Sequence, residues 1–404
     1  MVKPVFANTA SERARHRELE LVLLCAGTDI TPEKTAKLRQ LAKGDIDWTV
    51  LLDTADLHGL SAFVCRRLET VCADLLPDAV RSTLEELDYS NRMRNLFLCG
   101  SLLRILRLFE KNGIPAMPFK GPVQAEYLYK DSGLRTFSDL DILVSRQDAV
   151  KARDLLVAND FVTDPHIPEK QLETYLESEN FFELKNRSGA VAVDLHWELT
   201  GRYSTYPLRI EDFSGRLETL NLAGTEVRTL CLEDMLIYLC IHGTSHCWEP
   251  LELVCSVAEI VKSDGVEHWD ALLERASKFR CRRMVLLGLA LAEDLFDARL
   301  PDRIKSKIDM DGGVRKLEGR TLKKILHGRR GLAESLSWRF SSLHPAVRDN
   351  LPDSIRYGFR LLFFPTIREW IRYPLPAPLL FLYYVIRPYR LLKDGLRSST
   401  TRVS

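Results

Sequence analysis

Residues 114–144, IPAMPFKGPVQAEYLYKDSGLRTFSDLDILV, leave the chain few folds to adopt. Ile114 to Phe119 is a short apolar run that predicts a strand. The run ends in Lys120-Gly121, and Pro122 then stands at a natural first helical position, where its missing N–H costs nothing. Val123 to Tyr129 predicts a helix that carries the chain back. The polar loop Asp131 to Ser138 holds Gly133 and Arg135, and Leu140 to Val144 predicts a second strand.

Two carboxylates open that second strand. Side chains alternate along a strand, so Asp139 and Asp141 share one face, while Leu140, Ile142 and Val144 leave toward a core. Paired acids repel unless a cation lies between them. Magnesium takes one or two carboxylates together with phosphate oxygens. The upstream glycine turn at a helix start offers backbone N–H groups and a positive dipole end to a phosphate. Glycine turn followed by paired acids is a two-part nucleotide and metal site.

A second strand pair follows. Asn180 to Lys185, the turn Asn186 to Gly189, and Ala190 to Trp197 predict a β-hairpin. In its second arm Asp194 and His196 share a face, opposite Val193, Leu195 and Trp197. The strands near 114–119, 140–144, 180–185 and 190–197 are expected in one sheet, because their acids belong together only on a common face.

These residues resemble a known family. FKGPVQAEYLY, GLRTFSDLDILV and VAVDLHWEL are similar to the DNA polymerase β-like nucleotidyltransferases, and within them to a bacterial group known only as uncharacterised nucleotidyltransferases. Toxin-type relatives share the Lys-Gly turn and a run like Arg135-Thr136-Phe137-Ser138-Asp139-Leu140-Asp141. Two features depart from the usual pattern: Pro122 follows Gly121 where the superfamily has a second small residue, and the span from turn to acids is longer. The resemblance implies an α/β (α+β) fold, a mixed sheet with helical regions before and after it. It also implies transfer of a nucleotide monophosphate from an NTP such as ATP to an acceptor. Asp139, Asp141 and Asp194 would be the catalytic metal ligands for two magnesium ions, with Asp194 in the place of the superfamily's third carboxylate. Lys120, Gly121, Arg135 and Ser138 would bind the nucleotide, with His196 and His242 at the site edge. The acceptor stays open: protein, sugar, small molecule or RNA.

The remainder reads as helix. A chain of 404 residues, 46% apolar and 28% charged, has room for several folded regions. Expected divisions are 1–110 (helical), 111–230 (transferase core), 231–345 (helical) and 346–404 (a basic, aromatic tail). Residues 1–16 look loose, and Trp48 to Glu69 looks like one long helix. Asp45 and Asp47 copy the spacing of the paired acids but precede a helix, where acids complement the dipole. GDIDWTVLLDTA and GVEHWDALLERA echo each other as two similar helix starts. The formal net charge of +1 gives no global field for nucleic acid. The nine cysteines are scattered without a Cys-x-x-Cys pair, and the N-terminus has no apolar signal core, so a reduced, cytoplasmic protein is expected.

Two features fit other classes. In IHGTSHCW, His242 and His246 have the i, i+4 spacing of zinc ligands, with Cys247 beside them, but Gly243-Thr244-Ser245 predicts a poor helix. The tail from Tyr357 alternates apolar runs with single arginines. Its longest run, Leu375 to Ile386, is too short to span a bilayer, so 357–390 either lies on a membrane surface, at the inner face for a cytoplasmic protein, or packs on the core. The alternatives to transfer are a nucleotide-binding inactive relative, a membrane-associated assembly factor and a metal hydrolase.

Overall fold

The computed structural model describes residues 10–165, 167, 171–201, 206–263, 265–327, 341–373 and 375–400. His166 and Pro374, within stretches discussed above, lie outside these.

Five helices open the chain: α1 (Ala10–Cys25), α2 (Pro32–Ala42), α3 (Trp48–Leu57), α4 (Ser61–Val71) and α5 (Asp78–Lys111). The expected loose start is helical from Ala10 onward. The expected long helix at 48–69 is broken in two at Gly59, which takes φ +68°, a conformation costly for side-chain-bearing residues. Asp47 caps α3, its Oδ1 accepting from the Val50 N–H at 3.1 Å, so this acid belongs to a helix start. α5 runs for 34 residues and buries its second half through Leu98, Leu102, Ile105 and Phe109.

The central stretch follows as β1 (Ala116–Pro118), α6 (Pro122–Tyr129), β2 (Asp139–Val144), α7 (Ala149–Val157), β3 (Phe161–Thr163), α8 (Leu172–Ser178), β4 (Phe181–Asn186) and β5 (Ala192–His196). All five strands form one mixed sheet in the order β1-β2-β5-β4-β3, as expected for the four strands named from the sequence. β2 and β5 are parallel; the other neighbours are antiparallel. One face of the central pair is dry: Leu140, Ile142, Val193, Leu195 and Trp197 are fully buried. That burial makes register decisive, because a slip of one residue would drive the acids into the core.

Residues 207–230 form short elements joined by turns. They hold the hairpin β6 (Glu218–Leu222) and β7 (Thr225–Thr229), and the Thr229 hydroxyl donates to the Pro118 carbonyl at 2.9 Å. A helical layer completes the body: α9 (Leu232–Ser245), α10 (Leu251–Lys262), α11 (Trp269–Lys278), α12 (Arg282–Phe296), α13 (Asp302–Met310) and α14 (Gly312–His327). α9 continues through Gly243, Thr244 and Ser245, contrary to propensity. Gly243 is required there because a Cβ would meet the buried Trp248 ring at 2.4 Å. The echo is two helix starts, at Trp48 of α3 and Trp269 of α11. The tail forms α15 (Leu343–Ala346), α16 (Leu351–Phe363), α17 (Ile367–Arg372) and α18 (Tyr383–Thr400). All nine cysteines are buried and none forms a disulfide.

Candidate active site

The sheet register places the acids. Asp141 lies directly across from Asp194 on the parallel strands β2 and β5, and His196 stands across from Leu143. Asp139, at the start of β2, faces Ala192 on the same side. The ligand atoms of Asp141, Asp194 and His196 all lie within 4.8 Å of one another. Among the described residues this is the one group of three or more His, Cys, Asp or Glu side chains so arranged. Asp139 stands outside that tight group, and His196, expected at the edge, sits inside it.

Lys120 holds the group together. It follows β1, and its Nζ donates to Asp141 Oδ1 at 2.8 Å. His196 Nε2 lies 3.2 Å from the same oxygen. The imidazole is clamped between Phe181, stacked at 5.0 Å, and the edge-on Phe119 at 5.2 Å. Burial would push the Asp141 carboxyl up, but Lys120 and His196 overcome that and hold it well below its ordinary range. Lys120 stays charged: burial works against its charge, and Asp141 outweighs burial. At Asp194 the Lys120 charge is too weak to offset the surroundings. Burial, then the charges of Asp141 and Asp139, raise this carboxyl to about 8. Asp139 is raised as well, by burial and then by Asp141. Burial lowers His196, keeping the ring neutral near pH 7.

This donor set fits a divalent cation. Two carboxylates and a neutral imidazole converge, and with Lys120 displaced the cluster carries uncompensated negative charge. The imidazole nitrogen departs from the all-oxygen shell that magnesium prefers.

The glycine turn and loop are built as the sequence suggested. Gly121 takes φ +55° and ψ −126°, and a Cβ there would meet the Asp139 carbonyl at 3.3 Å. Arg135 is 8% exposed; its Nε donates to Glu252 Oε1 of α10 at 2.5 Å, while Nη1 is buried without a hydrogen-bond partner. α5 shapes this loop: the Asn95 side chain, fully buried, donates to the Ser132 and Arg135 carbonyls, both at 2.7 Å. Lys120, Gly121, Arg135, Ser138, Asp139, Asp141, Asp194, His196 and His242 all line one cavity of about 860 Å³. Its far wall includes Met284, His344, Tyr357 and Leu361.

Three contributors escaped sequence reasoning. Tyr238 of α9 packs edge-on to Phe119 at 5.2 Å and stacks on His242 at 5.6 Å, with Lys120 Nζ 5.9 Å from its ring centre. Glu252 and Asn95 are the other two. Asn91, one turn before Asn95 on α5, donates to the Gly133 carbonyl of the same loop at 2.9 Å. His242 and His246 approach with rings 4.6 Å apart, but Cys247 turns away in a left-handed conformation toward His344. Among the described residues the three form no ligand group.

Glu252→Gln tests the clamp on Arg135. The change keeps the shape and removes the charge that aims the guanidinium. We expect KM for the nucleotide to rise about tenfold with kcat nearly unchanged, and stability to fall by about 2 kcal/mol as a buried cation loses its partner. Unchanged KM would remove Arg135 from nucleotide binding.

A mixed sheet carrying paired acids beside a lysine-glycine turn is the architecture expected of a nucleotidyltransferase fold. The family model described as "Uncharacterised nucleotidyltransferase" matches residues 44–297, and the chain belongs to that family. The resemblance drawn from residues 114–144 and 191–199 is thereby borne out at family level. No curated protein matches. Among solved structures, the chain is similar to the antibiotic-resistance factor ANT(2'')-Ia, at 14% identity over 44% of this chain and 91% of that one, with a TM-score of 0.32. It is also similar to an antigenic nucleotidyltransferase-like protein from Paracoccidioides brasiliensis, at 13% identity over 54% of this chain and 92% of that one, with a TM-score of 0.30. Scores this low say nothing further about this chain.

Proposed function

We propose that this protein is a cytoplasmic, magnesium-dependent nucleotidyltransferase that moves a nucleotide monophosphate from an NTP such as ATP to an acceptor. The observation that carries the reading is the convergence of Asp141, Asp194 and His196 beside Lys120 and Arg135 at one end of a large cavity. Family membership supports transfer as the reaction class.

In this reading Asp139, Asp141 and Asp194 hold the metal, two ions being the number three acids beside a triphosphate best satisfy, with His196 at the shell. Bound magnesium would neutralise the triphosphate and acidify the acceptor hydroxyl. The chain does the rest. Lys120 leaves Asp141 for a phosphate oxygen once a stronger cation takes its place. Arg135 presents its unmatched N–H to the phosphates, and Gly121 and Ser138 let the backbone and loop approach them. Asp194, ionised once a cation offsets its acidic neighbours, takes the proton from the acceptor oxygen. That oxygen attacks the α-phosphorus, the bond from the α-phosphorus to the bridging oxygen breaks, and pyrophosphate leaves. His242 and Tyr238 line the cavity beside Lys120.

Incubation of the purified protein and cell extract with each α-labelled NTP tests this. We expect a magnesium-dependent labelled acceptor from one or more α-labelled nucleotides, whereas the γ-labelled form yields labelled pyrophosphate and an unlabelled acceptor. Transfer of γ-label would make the enzyme a kinase, and no labelled product with any NTP would overturn the reading.

A further inference from the structure

The tail helices have one face turned inward and one face uncovered. On α16, Tyr357 and Leu361 are buried at the end of the catalytic cavity. The opposite face carries Leu351, Ile355, Phe359 and Leu362, between 45% and 72% exposed. Their spacing of four, four and three residues makes one stripe along the helix. The stripe does not stop at α16. Phe359 touches Phe363 at 4.8 Å and Phe364 at 6.5 Å, and Phe364 meets Tyr384 of α18 at 5.6 Å. Phe381, Val385, Tyr389 and Leu392 extend it, each more than 60% exposed. Two helices thus present one continuous aromatic and aliphatic surface, larger than scattered surface hydrophobics explain.

Charge names the occupant. Residues 351–393 contain seven basic residues and two acids, Asp353 and Glu369. Both acids are buried and neutralised inside, Asp353 by Arg280 at 2.9 Å and Glu369 by Arg390 at 2.5 Å. Arg356, Arg372 and Lys393 are exposed. Among the described side chains of α16 to α18 the carboxylates are turned in and the exposed charges are cations. A second copy docking face to face would set these cations against their own kind. Among the described residues no helix is long and apolar enough to cross a membrane.

We propose that the α16–α18 face docks on an anionic lipid surface, with its aromatic and aliphatic side chains at the acyl boundary and Arg356, Arg372 and Lys393 among the head groups. The proposal is independent of the transfer reaction. Docking through the outer face of α16 would set the cavity end formed by Tyr357 and Leu361 close behind the lipid surface.

Co-sedimentation of the full chain with vesicles tests it. We compare phosphatidylcholine alone with phosphatidylcholine containing about one-third phosphatidylglycerol, a content that gives a strong negative surface potential. The expected result is at least ~10-fold tighter binding to the anionic vesicles, lost in ~1 M salt, where screening acts within about 3 Å. Ile355→Ser/Phe359→Ser should weaken that binding about tenfold while α-label transfer persists. Arg356→Glu should weaken binding to anionic vesicles only. Equal binding to both vesicles would overturn the anionic specificity. Binding to neither would overturn the proposal, and so would a concentration-dependent dimer that Phe359→Ser disperses.

Discussion

Asp141→Asn is expected to abolish magnesium-dependent transfer and also to destabilise the metal-free protein. Asparagine keeps the shape of the side chain but cannot neutralise Lys120, whose ammonium lies 2.8 Å from Asp141 Oδ1 and whose side chain is 16% exposed. A buried cation left without its partner costs about 3 kcal/mol or more. Transfer should fall by about a thousandfold or more, since both a proposed metal ligand and the anchor of His196 are lost. The double variant Asp141→Asn/Lys120→Met removes the stranded charge along with its partner. It should recover most of the lost stability and none of the activity. Thermal melts in metal-chelated buffer beside α-label transfer assays decide this. A single variant more stable than the parent would mean that Lys120 does not serve as the counter-ion of the metal-free site.

Asp194→Asn should shift metal-free stability the other way. The Asp194 carboxyl is raised to about 8 in the fold, chiefly by burial and then by its acidic neighbours, against about 4 in an unfolded chain. Between these values the folded state keeps a proton that the unfolded state has released. Stability contributed by this group therefore falls as pH rises from 4 to 8 and levels off above. The asparagine variant suffers no such loss. Relative to the parent it should melt at the same temperature near pH 4 and gain steadily to about 2 kcal/mol at pH 8, a figure well below the full titration energy because the site relaxes and is partly hydrated. Magnesium reverses the order: the parent is stabilised and the variant is not. A variant whose advantage does not grow with pH, or that magnesium stabilises as strongly as the parent, would show that Asp194 is neither strained by its neighbours nor a ligand.

The same comparison at the look-alike pair supplies the contrast. Asp47 is exposed and caps α3, so Asp47→Asn keeps an acceptor for the Val50 N–H. Its effect on both stability and transfer should be small.

Local patterns announced much of this protein, because they depend on neighbours along the chain. Alternation at Asp139, Leu140, Asp141 and Ile142 assigned the two faces of β2 before any partner strand was known. Gly121 followed by Pro122 marked the turn and helix start, since the turn needs φ +55° and the first helical position tolerates proline. The hairpin at 181–196 was legible from its turn residues. Other features were misread where packing overruled propensity. Gly243 lies inside α9 despite its low helix propensity, and Trp248 occupies the space a side chain there would need; Trp48 to Glu69 breaks at Gly59.

What the sequence determined by itself, then, is which residues share a strand face and where the chain must turn. Those are constraints of φ, ψ and alternation. Which groups meet across the fold was decided by the tertiary structure. Parallel pairing set Asp141 against Asp194 and brought His196 into the cluster in place of Asp139. Long-range packing brought Lys120 onto Asp141, Glu252 onto Arg135 across 117 residues of chain, and α16 to the cavity wall. The ionisation of the acids followed from that placement: burial and charge act through space, over a few ångströms, and are blind to distance along the chain.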